Sequence, residues 1–153
     1  MSAAMPMPET PRLTADAVIF DAAGRLLLVR RGSPPFRGRR ALPGGFVEIG
    51  ETVEAACRRE LKEETGVEAG ALTLVGVYSD PLRDPRGHNC SVAFVGRAQS
   101  SRAAAGDDAA AVEWVEDWRA LELAFDHAAI IADAVERLRT RGPDQDDRRG
   151  EAR

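Results

Sequence analysis

Little in this 153-residue chain invites covalent or redox chemistry. It has two cysteines, Cys57 and Cys90, and two histidines. Neither cysteine belongs to a CxxC pair, so no zinc site or disulfide framework is indicated, and both read as reduced thiols. Asn89-Cys90-Ser91 has the form of a glycosylation acceptor, but no secretory pattern stands ahead of it. No apolar run approaches the roughly 20 residues of a membrane helix. A basic excess is missing as well. Lys and Arg number 21 against 25 Asp and Glu, a formal net charge of −4. Neither nucleic acid nor an anionic membrane is therefore the expected partner. A cytoplasmic location is expected from the same absences. If the substrate is an anion, something local must supply positive charge.

What is present suits an ordinary globular protein, with 44% hydrophobic and 30% charged residues. A single domain over residues 12–140 is expected. Residues 1–11, with Pro6, Pro8 and Pro11, read as a flexible lead-in, and the polar residues 141–153 as a flexible tail opened by Gly142-Pro143. Ala15–Phe20 reads as a strand that turns at Asp21–Gly24 and pairs back as a hairpin with Arg25–Arg30. Ala41–Val47 reads as a short strand interrupted by turn residues. Thr52 is a fair N-cap for a helix running to about Thr65, where Gly66 stops it. Ala71–Ser79, Cys90–Ala98 and Ala111–Val115 read as further strands, with Asp107-Asp108 as a turn. Asp126 can cap a second helix, His127 to about Thr140, whose Ile130, Ile131, Ala134, Val135 and Leu138 follow a helical period. Strands outnumber helices and are largely hairpin-linked, which suggests a mixed or antiparallel sheet with helices packed on it.

The first helix carries the chemistry. At about 100° per residue, Val53, Ala56, Cys57 and Leu61 form one apolar stripe. Glu60, Glu63 and Glu64 continue that stripe, whereas a solvated helix sets its acids on the opposite face. They also crowd the negative end of the helix dipole. A charged surface helix paired through Arg59 and Lys62 is the plain alternative. A divalent cation would give the crowding a purpose, and oxygen ligands without His or Cys favour Mg²⁺ or Mn²⁺ over zinc.

Gly45, five residues, Glu51, seven residues, then Arg59-Glu60-Leu61-Lys62-Glu63-Glu64-Thr65-Gly66-Val67 resembles the Nudix box with every defining position filled. The resemblance implies the Nudix fold, an α/β/α sandwich around a mixed sheet. It also implies hydrolysis of a nucleoside diphosphate linked to another moiety, and a homodimer by analogy. Glu60 and Glu64 are then the principal metal ligands, Glu63 a further ligand or the base for the attacking water, and the Gly45 carbonyl a completing ligand. Arg59, the other member of the catalytic set, pairs with Glu51 and fixes the loop to the helix.

A second signal lies in Tyr78–His88, a loop with two prolines. There Arg83 and Arg86 offer planar donor forks for phosphate or ribose oxygens. Together with Leu42–Glu48 and Leu123–His127 it resembles the ADP-ribose pyrophosphatase branch. That branch implies cleavage of ADP-ribose to AMP and ribose 5-phosphate, with Pro81 as a preference marker and Ser79, Asp80, Arg83, Arg86 and His88 as substrate contacts. The plain alternative pairs the arginines with Asp80 and Asp84. Arg40 replaces the aromatic that relatives often carry before Ala-Leu-Pro-Gly-Gly, which leaves Phe36, Phe46 and Tyr78 as candidates for adenine stacking. His127 reads as structural, and Glu113 and Glu116 as a base outside the box or simple surface acids. Two other functions compete: a house-cleaning nucleoside triphosphate pyrophosphohydrolase, and a sensor that binds ADP-ribose without cleaving it.

Overall fold

A computed structural model describes residues 5–100, 102–103 and 109–141. The expected flexibility of residues 1–4 and 142–153, and the turn expected at Asp107-Asp108, lie outside the described residues. Along the chain run β1 (Arg12–Phe20), β2 (Leu26–Arg31), β3 (Arg40–Ala41), β4 (Gly44–Phe46), α1 (Val53–Thr65), β5 (Thr73–Tyr78), β6 (Asn89–Arg97), β7 (Ala109–Val115) and α2 (His127–Arg141), with a short 3-10 turn at Trp118–Ala120 before α2. Among the described residues the strands form one seven-stranded mixed sheet. Its path is β3-β2-β1-β6-β5, with β4 on β1 and β7 on β2.

Strand β1 is buried on both faces from Ala15 to Ile19, and apart from Asp16 that stretch is apolar. Ala15, Ala17 and Ile19 pack with Ala56, Cys57 and Leu61 of α1. Val18, between them, packs with Ile130, Ile131 and Ala134 of α2. One helix therefore covers each face, and the expected α/β/α sandwich is present. The same alternation turns Asp16, 6% exposed, toward the α2 face.

Helix α1 has the expected ends. The Thr52 hydroxyl accepts the Ala55 N–H at 3.1 Å, and Gly66, at φ 73°, closes the C-terminus by donating to the Lys62 carbonyl. Asp126 differs from expectation at α2. Its backbone carbonyl accepts from Ala129 and Ile130, but its carboxylate is held by Arg83.

The expected β1–β2 hairpin is present but shorter than expected. The two strands meet only at Phe20 and Leu26, where the Asp21 carboxylate accepts from the Ala23 and Arg25 N–H groups. Beyond that point β2 leaves to pair with β3 and β7, while β1 pairs in parallel with β6 from Arg12–Asn89 to Phe20–Arg97. Strand β4 takes the vacated edge of β1, with Gly44 opposite Asp16 and Gly45 opposite Ala15. This splaying of β1 from β2 opens the site.

Candidate active site

Between the splayed strands lies a cavity of about 410 Å³. Thr14 and Asp16 of β1, Arg30 and Arg31 of β2, and Gly44, Gly45 and Phe46 of β4 contribute to its walls. Glu60 and Glu64 of α1 close one side, with Glu48 nearby. Arg83, Asp84, Arg86, Phe125 and His127 close another. The cavity thus joins a carboxylate wall to a guanidinium wall.

On the acidic wall the backbone meets the carboxylates directly. Gly44 donates its N–H to Glu64 Oε2 at 3.1 Å. A Cβ built on Gly45 would stand 2.5 Å from the Glu60 carboxyl carbon, so only glycine permits this approach. Burial pushes the Glu60 carboxyl above its ordinary pKa; Glu63 and Glu51 add to the rise, and Arg59 opposes it. Arg59 supplies part of the positive charge that favours an ionised Glu60.

Arg59 staples this wall together. It donates to Glu51 through Nε at 3.0 Å and Nη2 at 2.7 Å, and Nη2 also reaches the Phe46 carbonyl at 3.0 Å. Its Nη1 donates to Glu60 at 2.9 Å and to Glu63 at 3.2 Å. Glu51 is held at about 2 by these donors and the Glu48–Glu51 turn. Glu63 departs from the expected inward set. Its side chain is 60% exposed and tied to Arg59, outside the cavity lining. It lies at the edge of the helical stripe, where Arg59 holds it.

Among the described residues no three His, Cys, Asp or Glu side chains cluster tightly enough to hold a metal alone. Mg²⁺ does not demand such a cage. It is usually held through one or two carboxylates, waters and substrate phosphates. Glu60 and Glu64, hard oxygen donors beside an open cavity, fit that mode.

The basic wall is built mostly from internal pairs. Arg83, whose side chain is 5% exposed, makes a two-pronged contact with Asp126 at 2.7 and 2.9 Å. Arg86 holds Asp84 through Nε and Nη2, at 3.1 and 2.8 Å. Burial alone would raise the Asp84 carboxyl, but Arg86 and Asn89 outweigh it and keep it at about 2. The guanidiniums of Arg31 and Arg86 lie over the Phe125 ring at 5.0 and 5.5 Å. Arg30 brings a buried Nε that has no hydrogen-bond partner among the described residues.

The loop expected to supply substrate contacts divides. Arg83 and Arg86 line the cavity; Ser79, Asp80 and His88 do not. Asp80 accepts the Leu82 N–H, Asp84 accepts the Arg86 N–H, and His88 Nε2 meets the Ser79 carbonyl at 2.9 Å. These local turns fold the loop onto itself and spend those groups. Of the stacking candidates, Phe46 lines the cavity, Phe36 packs edge-on against Phe125 at 5.0 Å, and Tyr78 donates to Asp133 at 2.7 Å. Glu113 is engaged by Arg40 at 2.6 Å and Arg30 at 3.5 Å, while Glu116 is exposed.

Sequence reasoning missed Asp16, Arg31 and Phe125 as cavity residues. Phe125 adopts φ 52°, which nothing in a phenylalanine announces. Asp16 had one signal, a charge inside an otherwise apolar strand. Replacing Arg83 by Ala is expected to cost about 2 kcal/mol in urea denaturation, because it strands the partly buried Asp126 carboxylate. Unchanged stability with a raised KM would assign Arg83 to substrate instead.

A family model described as NUDIX domain matches residues 10–138. An ADP-ribose pyrophosphatase of Methanocaldococcus jannaschii is 47% identical over 123 residues, covering 80% of this chain and 72% of that protein. The ADPR responsive transcriptional repressor NtrR of Acinetobacter baylyi is 33% identical, covering 84% of this chain and 55% of the repressor. Among solved structures, a MutT/nudix family protein from Enterococcus faecalis aligns with a TM-score of 0.82 at 33% identity, over 90% of this chain and 66% of that one. The NUDIX domain of Shewanella oneidensis NrtR, crystallised with ADP ribose, aligns at 0.78 and 31% identity, over 84% of this chain and 89% of that one.

Proposed function

The chain belongs to the NUDIX family, and from that premise we propose that it is a divalent-metal-dependent hydrolase of ADP-ribose. Residues 12–140 form its hydrolase domain in this reading. Water attacks one phosphorus of the diphosphate, the bridging P–O bond breaks, and AMP and ribose 5-phosphate leave. The observation that carries the reading is the Glu60–Glu64 pair, pressed against Gly44-Gly45 at one wall of a cavity whose other wall is arginine-rich.

Glu60 and Glu64, with the Gly45 carbonyl, would hold Mg²⁺ or Mn²⁺. Such an ion, when bound, neutralises diphosphate charge and lowers the pKa of a coordinated water. The chain's own residues do the rest. Arg59 fixes Glu60 and the Glu48–Glu51 loop in one geometry. Glu63, at the rim, takes the proton of the attacking water or adds a further ligand. Arg86 and Arg30, both lining the cavity, offer positive charge to the substrate's anionic groups. Arg31, over Phe125, adds a further cation beside them. The M. jannaschii pyrophosphatase supports this choice of substrate. A homodimer and a cytoplasmic location complete the proposal; no helix among the described residues is long and apolar enough to cross a membrane.

Incubation with MgCl₂ and a nucleotide panel tests it. AMP and ribose 5-phosphate are the expected products from ADP-ribose. Brisk release of inorganic pyrophosphate from nucleoside triphosphates, with ADP-ribose untouched, would establish the house-cleaning reading instead. Tight ADP-ribose binding without turnover would establish a sensor, the kind of protein the NtrR relative is named for.

A further inference from the structure

His127 is the first residue of α2, 5% exposed, yet it borders the cavity. Its Nδ1 accepts the backbone N–H of Leu42 at 3.0 Å, in a fully buried contact across 85 residues of sequence. The ring proton therefore sits on Nε2, which faces Asp16 Oδ2 at 3.9 Å. Asp16 is fixed in turn by the Ser91 hydroxyl, which donates to the same oxygen.

Leu42 opens the segment Leu42-Pro43-Gly44-Gly45. Pro43, whose ring crowds the preceding residue, biases Leu42 toward an extended backbone, and the Pro43 carbonyl accepts from Ala17 of β1 at 2.9 Å. Gly44 then donates to Glu64, and Gly45 lies against the Glu60 carboxylate. One continuous path leads from the α2 N-terminus through a single imidazole to the strand that presses on both carboxylates. Every contact along it is a hydrogen bond or a close backbone approach.

We propose that His127 is a positioning residue for the Glu60–Glu64 site: by accepting the Leu42 N–H it sets the Gly44-Gly45 backbone against the two carboxylates. This rests on the metal role proposed above for those carboxylates. It differs from a role in touching substrate, because His127 acts on the acids through four intervening backbone residues. Groups that orient metal ligands from behind are commonly worth 10–100-fold in metal affinity or activity.

Asn and Gln separate the roles. Asn carries its carbonyl oxygen at the same distance from the backbone as Nδ1 and can accept from Leu42. Gln carries it one bond further, near the Nε2 position, and cannot take up the same bond. Mn²⁺ affinity would be measured on the full chain without substrate, by electron paramagnetic resonance, alongside kcat, KM and thermal melting. His127→Gln is expected to weaken Mn²⁺ binding about tenfold and to lower kcat, with KM for ADP-ribose nearly unchanged. His127→Asn is expected to restore Mn²⁺ affinity to within about threefold of wild type. Equal behaviour of Asn and Gln, or an effect confined to KM, would overturn the inference. Both variants are polar, and a shared loss of folding visible in melting also counts against it, since Asn should keep the bond. Wild type that takes up no Mn²⁺, or Glu64→Gln that takes it up undiminished, would instead bring down the metal-site reading itself.

Discussion

Glu64→Gln is expected to lower kcat for ADP-ribose by at least about two orders of magnitude while the protein stays folded. The loss corresponds to roughly 3 kcal/mol of transition-state stabilisation, within the several kcal/mol that metal activation supplies. The fold should survive because the amide oxygen of glutamine can still accept the Gly44 N–H. Volume is preserved too, and no cavity opens. What disappears is one of the two carboxylates that α1 contributes to the acidic wall. Removing the cation from wild type with EDTA should reproduce the effect, and added Mg²⁺ should reverse it in wild type alone. Undiminished turnover in a folded Glu64→Gln protein would remove Glu64 from the metal site. Circular dichroism and steady-state kinetics on the same preparation decide the matter.

The two glycines beside those acids should respond in opposite ways. A Cβ on Gly44 would overlap the Ala15 carbonyl and the Asp16 carboxylate. Backbone cannot swing aside, so Gly44→Ala is expected to cost about 3 kcal/mol. In a chain of this size that lowers Tm by roughly 6–12 °C. For a Cβ on Gly45 the three nearest atoms are the carboxylate end of Glu60, at 2.5–2.7 Å. That group can rotate away, so Gly45→Ala should lose no more than about 1 kcal/mol of stability. Rotation nevertheless takes Glu60 out of line with Glu64. Mn²⁺ affinity and kcat are therefore expected to fall at least about tenfold in Gly45→Ala. A fully active Gly45→Ala, or a Gly44→Ala as stable as wild type, would contradict this account of the wall.

Helix α1 was legible because its information is local. A capping Thr52, a terminating Gly66 and an apolar stripe all lie within one short segment, and each is found in its expected role. The inward turn of Glu60 and Glu64 was readable from the same stripe. Glu63 was not, because it sits at the stripe's edge, where helical phase does not choose a side, and Arg59 holds it there. Strand positions were legible to within a few residues, yet the pairing of β1 was not. Its partner β6 lies far along the chain, and the hydrophobic pattern of a doubly buried strand does not name its neighbours. The arginine loop illustrates the same limit. Local composition correctly suggested that Arg86 could pair with Asp84. The partner of Arg83, Asp126, is 43 residues away, next to a helix start where its type suggested a cap. His127 read as structural from sequence, and only the contact with Leu42 ties it to the acidic wall.

The central claim is that Glu60 and Glu64 bind divalent cation where the substrate's diphosphate will lie. Anomalous diffraction from crystals soaked in Mn²⁺ and a non-hydrolysable methylene analogue of ADP-ribose tests it most directly. The account predicts manganese peaks within ligand distance of both carboxylates and of the diphosphate analogue, inside the cavity between β1, β2 and α1. Peaks elsewhere, with Glu60 and Glu64 bare and the analogue bound away from them, would contradict it.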